Sequence, residues 1–237
     1  MKPQASPTEL PAAKPGRKKW PRRLVVVVAV LALLSTAGVI AFNHIYILYA
    51  NFHVVVDKQV YRSARPNPSR IQDWSGEYGI KTILNLEGGD EEDSYFVENT
   101  AKARDLGIGY TTIKLASSRL PTSDQVHEMI RVIETCPKPM LIHCRAGSER
   151  SGLGSVIAAM ALGHQDYKDA REQLSAKYLH LWHGVDRAEG LVDRYEDYCS
   201  IHNLDTAGWT QFRDWAMNLY QSNPHASTAP TAVGSTR

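Results

Sequence analysis

Cysteine is scarce in this chain of 237 residues. Three thiols, with no pair at zinc-ligand spacing, exclude a disulfide scaffold and a cysteine-built metal site. An excess of one charge is missing as well, because the formal net charge is only +2. That balance is uneven along the chain. Residues 1–23 hold Lys2, Lys14, Arg17, Lys18, Lys19, Arg22 and Arg23 against Glu9, a net of +6, which leaves residues 24–237 at −4. A body without a basic surplus argues against nucleic acid as a partner. Hydrophobic and charged fractions of 43% and 22% are those of a globular protein and exclude a wholly disordered chain.

Charge of either sign is absent between Arg23 and Asp57. Within that gap, Leu24 to Phe42 reads LVVVVAVLALLSTAGVIAF, without the polar residue every third or fourth position that a buried core helix would need. As a helix it would extend about 28 Å, close to the hydrocarbon thickness of a bilayer. The run predicts a transmembrane signal anchor over 24–48, with Tyr46 and Tyr49 at the interface. Cleavage after Ser35-Thr36-Ala37 is the alternative, but the apolar GVIAF beyond it favours a retained anchor. The basic head places the N-terminus in the cytoplasm by the positive-inside rule and the rest on the non-cytoplasmic side, most simply a periplasm. Residues 1–23 read as a disordered basic tail and 222–237, SNPHASTAPTAVGSTR, as a disordered exit.

From 54 to 221 short apolar runs alternate with helical patterns, as in one α/β domain. Strands are predicted at Val54–Val56, Gln59–Arg62, Lys81–Leu86, Tyr110–Leu115 and Met140–His143. Helices are predicted at Pro68–Tyr78, Ser94–Leu106, Ser123–Cys136, Gly152–Leu162, Tyr167–Tyr178, Arg187–Ile201 and Trp209–Tyr220. Thr122 or Ser123 can cap the third helix, and Gly79, Gly107 and Gly163 stand at helix stops. Strand–helix alternation followed by helices alone implies a small, largely parallel sheet flanked by helices.

The most informative segment is Met140 to Gly154, MLIHCRAGSERSGLG. An apolar strand runs into His143-Cys144, and Arg150-Ser151-Gly152 opens an apolar helix. A loop from strand end to helix start turns successive N–H groups inward and forms an anion nest. The expected phosphate cradle is Arg145, Ala146, Gly147, Ser148, Glu149 and Arg150, in which Gly147 permits a tight turn and Arg150 can fork onto phosphate oxygens. At its base the Cys144 sulfur faces the helix N-terminus and those N–H groups, and is set for in-line attack on phosphorus.

HCRAGSERSG resembles the H-C-x5-R-[ST] signature of cysteine-based protein tyrosine and dual-specificity phosphatases. Val60-Tyr61-Arg62-Ser63-Ala64-Arg65-Pro66 is similar to the YRS-x-x-P segment that opens atypical dual-specificity domains, and Ile83-Leu84-Asn85-Leu86 to their INL strand. Tyr178-Leu179-His180 with Leu191-Val192-Asp193 resembles the Y-x-H … LD region of bacterial members. The resemblance implies a dual-specificity-phosphatase-like α/β domain preceded by one transmembrane helix. It implies Cys144 as nucleophile through a phosphocysteine, Arg150 as phosphate binder, Ser151 easing thiolate departure, and no metal or other cofactor. The implied substrate is a phosphorylated protein, or an inositol or lipid phosphate. Sulfurtransferases of the rhodanese type use a loop one residue shorter than the one from Cys144 to Arg150.

The family's usual acid, an Asp from the loop before the third helix, has no counterpart in Ala116-Ser117-Ser118-Arg119-Leu120-Pro121. Glu149, immediately before the loop arginine, is the first alternative acid, and Asp124 is the weaker one. Without a working acid, the chain would be a catalytically weak phosphatase-like module that binds phosphorylated partners. His143 is expected behind the cysteine loop, supporting it, and Arg62 as an organiser of structure. Lys114 and Arg119 are expected as solvated surface charge, Asp90–Asp93 as a solvated loop, and His180 and His183 as packing residues. Cys136 and Cys199 read as buried helix residues, either of which could pair reversibly with Cys144 in an oxidising compartment.

Overall fold

The computed structural model describes residues 21–43, 50–206 and 208–221. The expected tails 1–20 and 222–237, and the interfacial Tyr46 and Tyr49, lie outside them. Two units are separate in the chain, one up to Phe42 and one from Asn43 onward.

The first unit holds helix α1, Arg22–Asn43, all but its last residue. Its stretch Arg22–Ala41 has mean hydropathy 2.8 and no residue buried against protein, so it is long and apolar enough to cross a membrane. Thr36, the hydroxyl in its middle, donates to Ala32 O at 2.8 Å, which satisfies the group within the helix.

The second unit contains a five-stranded sheet in the order β1-β2-β5-β3-β4, built from β1 His53–Val56, β2 Val60–Ala64, β3 Thr82–Asn85, β4 Gly109–Thr112 and β5 Met140–Cys144. Only β1 pairs antiparallel; β2, β5, β3 and β4 run parallel, with Ala64 opposite Cys144 and Asn85 opposite His143. Parallel strands covered on both faces bury alternate residues in opposite directions. Met140, Ile142 and Cys144 of β5 join the larger core, and Leu141 between them joins the smaller one. The larger core lies under α4 Ser123–Thr135, α5 Glu149–Ala161, α7 Leu191–Ile201 and α8 Trp209–Asn218. The smaller lies under α2 Pro68–Tyr78 and α3 Ser94–Asp105. Cys144 therefore ends its strand on the α5 side.

Local chemistry accounts for most boundaries. Asn67 caps α2 by accepting from Arg70 N, Pro68 opens it, and Gly79 closes it in the left-handed region. Thr122 rather than Ser123 caps α4, in a reciprocal box with Gln125. After α5 the left-handed turn falls on His164, one residue past the expected Gly163.

Three helices differ from expectation by three residues or more, one of them α7, which begins at Leu191 after a 3-10 turn at Ala188–Gly190 rather than at Arg187. Helix α5 begins at Glu149, three residues before Gly152, so the loop is shorter than the sequence pattern implies. The helix expected over 167–178 is cut to α6, Tyr167–Arg171, followed by single 3-10 turns at Glu172–Leu174 and Ala176–Tyr178. The cause is tertiary: Gln173 O accepts from Arg62 Nη1 at 2.6 Å.

Candidate active site

The β5–α5 connection occupies one end of the parallel sheet, where strand ends and a helix start leave backbone N–H groups without partners. Ser148 takes the N-cap position of α5 but makes no side-chain cap bond, so the first-turn N–H groups are left for an anion. Gly147 has φ +70, and a Cβ there would lie 2.7 Å from the Ser63 carbonyl carbon and run into the Ala64 backbone. The close approach of β2 to the loop is thus possible only with glycine.

Cys144 is buried at the base, 2% exposed, and its Sγ lies 3.4 Å from the Oγ of Ser151, which is itself fully buried. Arg150, partly buried on the first turn of α5, points its guanidinium at the rim, where Nη1 donates to Leu115 O at 3.1 Å. Arg145 and Ala146 are exposed at the lip, and Ser148 is buried. These positions bring the sequence-derived cradle residues, Cys144 and Ser151 together across the β5–α5 connection and the first turn of α5.

The loop's carbonyls are turned away from the cradle and tied down behind it. Arg62, buried on β2, donates from Nη2 to Gly147 O at 2.8 Å and Ser148 O at 2.9 Å, and from Nη1 to Gln173. Its guanidinium also stacks 4.3 Å from the Tyr178 ring centroid. Burial lowers the Arg62 pKa to about 10, and neighbouring Cys144 and Tyr178 oppose that fall, so the group is cationic at neutral pH. Asn51 Nδ2 donates to Gly147 O at 2.9 Å, Ala146 O at 3.3 Å and Tyr178 O at 3.0 Å. Asn51 Oδ1 can only accept, so His53 Nε2, 3.0 Å away, donates to it and fixes the amide's direction. Burial, then Arg62 and Lys177, push the His53 pKa down to about 4, which keeps the ring neutral.

His143 is fully buried at the end of β5, with Nε2 3.3 Å from the Tyr110 hydroxyl. Burial pushes its pKa down to about 3, so a neutral ring lies behind the cysteine. On the rim, Arg65 Nε donates to Glu87 Oε2 at 3.0 Å, and Arg65 N donates to Arg145 O at 3.3 Å.

Glu149 is ion-paired with Arg187 rather than with Arg150. Asp124, on the first turn of α4, lines a groove between α4 and α8 together with His127, Arg213 and Met217, and no residue of the 144–150 loop lines that groove. The stretch 116–121 supplies no carboxylate. Lys114 packs beside Gly88, and Arg119 is exposed. All three cysteines are free thiols; Cys199 is buried, while Cys136 is half-buried at the C-cap of α4 rather than inside the helix.

Asn51, His53, Gln173, Glu87 and Arg187 are the contributors the sequence did not reveal. None lies in a motif, and each reaches the site from a distant part of the chain.

No curated protein matches the sequence. Among solved structures, the core catalytic domain of the PP-IP phosphatase SIW14 from S. cerevisiae is 20% identical, with 65% of this chain and 93% of that chain covered at a TM-score of 0.50. PTPMT1 is 12% identical, with 64% of this chain and 98% of that chain covered, also at 0.50. At such identities the likeness concerns the fold. The family itself follows from the sequence model described as DSP-PTPase phosphatase fused to NAD+ kinase, which matches residues 48–177, more than half of the chain: the chain belongs to this family of cysteine-based, dual-specificity-type phosphatases.

Proposed function

We propose that the chain is a membrane-anchored phosphomonoesterase that works through a phosphocysteine on Cys144. The observation that carries this reading is the Cys144 Sγ–Ser151 Oγ approach of 3.4 Å at the base of a preformed anion nest. In the first step the sulfur attacks phosphorus in line, an S–P bond forms, and the P–O bond to the leaving group breaks. The leaving oxygen takes a proton from the Glu149 carboxyl. In the second step water attacks phosphorus and the S–P bond breaks. Ser151 Oγ–H then donates a hydrogen bond to the departing sulfur, and the water's proton passes to Glu149. Negative charge on the phosphoryl oxygens is held by the loop N–H groups and by Arg150, whose Nη1 donates to Leu115 O while its other N–H groups remain for the phosphate.

The +6 head over residues 1–23, whose last two arginines open α1, supports a cytoplasmic N-terminus and a catalytic domain on the non-cytoplasmic, periplasmic side. The substrate is phosphotyrosine on proteins of that compartment, or an inositol or lipid phosphate at the adjacent membrane. The deciding experiment uses the full chain in detergent under reducing conditions. It measures phosphate release from a phosphotyrosine peptide, an inositol polyphosphate and a phosphoinositide in mixed micelles. A labelled phosphoenzyme trapped by acid quench is expected in the wild type and absent in Cys144→Ser. No release from any of the three would end the enzyme reading. A reporter fused after residue 221 that is active only in the cytoplasm would overturn the topology.

The ion pair between Arg187 and Glu149 favours one other reading, because an acid would have to leave that partner. In it the chain is a catalytically weak module that binds phosphorylated partners. Retention of a phosphopeptide by the wild type without phosphate release would support it.

A further inference from the structure

The segment 180–193, which runs from beyond the 3-10 turn at Ala176–Tyr178 through another at Ala188–Gly190 into the first turn of α7, carries polar side chains that the phosphate chemistry does not use. Glu189 is fully buried, and neither of its carboxylate oxygens accepts a hydrogen bond among the described residues. His180 Nε2 is buried without a hydrogen-bond partner and lies 3.7 Å from Glu189 Oε1. One ligand atom each from His180, His183 and Glu189 falls within 4.8 Å of the other two. His183 is exposed, and its Nε2 is 2.6 Å from Asp193 Oδ2.

A separation of 3.7 Å is too long for a hydrogen bond, yet close to the roughly 3.4 Å between two donors that share one tetrahedral ion at about 2.1 Å each. A buried carboxylate with open lone pairs is costly unless a cation meets it. Arg187 supplies part of that charge, with Nε 3.5 Å from Glu189 Oε1, but its Nη2 is held by Glu149 and Oε2 stays open.

We propose that His180, His183 and Glu189 bind one divalent transition-metal ion of the zinc class. Two imidazoles and a carboxylate are the donor set such ions take, and the exposed His183 side leaves an entry path and a fourth position for water. Asp193 orients the His183 ring in the manner of a carboxylate behind a ligating histidine. The ion is structural: it pins the segment from which Arg187 reaches Glu149, and the phosphoryl-transfer steps do not pass through it. The inference does not depend on the phosphatase reading.

The test is titration of the chelator-treated full chain in detergent with cobalt(II), read by visible d–d absorption. A Cys144→Ser background keeps the loop thiol from binding the probe. The expected result is one equivalent bound with the intense bands of a four- or five-coordinate ion, displaced by zinc(II). His183→Gln, at an exposed position that leaves the fold intact, should weaken binding at least 100-fold and abolish the metal-induced rise in melting temperature. Asp193→Asn should weaken it by about 10- to 100-fold. Absence of stoichiometric binding would overturn the proposal. So would binding unchanged in His183→Gln, including binding that disappears only when Cys136 or Cys199 is replaced.

Discussion

Behind the phosphate loop, Arg62 and Asn51 hold the carbonyls of Ala146, Gly147 and Ser148 from fully buried positions. In front of it, Glu87 and Glu149 are held by Arg65 and Arg187, ion pairs in which the arginine side chains are 33% and 38% exposed. The two sides of one loop thus rest on different physics. Buried hydrogen bonds to the carbonyls of Ala146, Gly147 and Ser148 are screened little and, through the planar peptides, fix the direction of the N–H groups of Gly147, Ser148 and Glu149. Partly exposed ion pairs contribute about 0–1 kcal/mol each and weaken with salt. The back of the loop is built before substrate arrives, and the rim can rearrange when it does.

The sharpest way to break this contrast is Gly147→Ala, which attacks the back where no side chain can yield. The left-handed φ of +70 and the Ala64 backbone leave no room for a methyl group. Displacing the loop by about 1 Å should reduce kcat/KM by about 100-fold or more. Kinetics on an activated aryl phosphate measures it. Activity within threefold of wild type would mean that the cradle is not held against β2.

Arg62 comes next. Arg62→Met removes the side-chain donor to the buried Gln173 carbonyl and one of two donors to the Gly147 and Ser148 carbonyls, which keep Asn51 Nδ2 and Gly152 N, an expected loss of about 2–3 kcal/mol of stability. Arg62→Lys keeps the charge but not the fork, and should lose less. Thermal denaturation of both variants checks the order. On the rim, Glu149→Gln should spare the melting temperature and lower turnover of alkyl phosphates by about 100-fold, with activated aryl phosphates nearly unchanged. Equal losses on the two substrate types would remove Glu149 from the acid role.

The same division governs what could be read from the sequence. The loop from Cys144 to Arg150 and the parallel sheet beneath it were legible because a strand end, a glycine and a helix start are contiguous in the chain. The cap of α4 was legible for the same reason, within one residue. Asn51 was not, because its worth comes from carbonyls 95 and 96 residues away. The break after α6 was hidden because Arg62 takes Gln173 O across 111 residues, a pull that helical periodicity does not contain. The cap at Ser148 also misled: without a side-chain cap bond, α5 has no local signal for starting at Glu149. Partners of Glu149 were illegible too, since Arg187 lies 38 residues on, beyond the rest of α5, α6, two 3-10 turns and a loop.

The smallest expected effect separates back from rim by acid rather than by substitution. His53 and His143 have pKa values pushed down to about 4 and about 3, chiefly by burial, from an ordinary 6.5. Both are neutral when folded, so between pH 6.5 and 4 the unfolded chain binds more protons and stability falls as pH falls. The contribution is complete above pH 6.5 and is lost as pH drops through the folded values, at up to about 1.4 kcal/mol per pH unit for each group. His53 is only half-buried and should give the smaller share. His53→Gln preserves a donor to Asn51 Oδ1 while removing the titration, so it should flatten the dependence of melting temperature on pH without moving its value at pH 7.5. Added salt should leave that slope in place, because the hydrogen bond it reports is behind the loop, whereas salt should loosen the Arg65–Glu87 and Arg187–Glu149 pairs in front. An unchanged slope in His53→Gln would mean that the Asn51 amide is held by something other than a neutral imidazole.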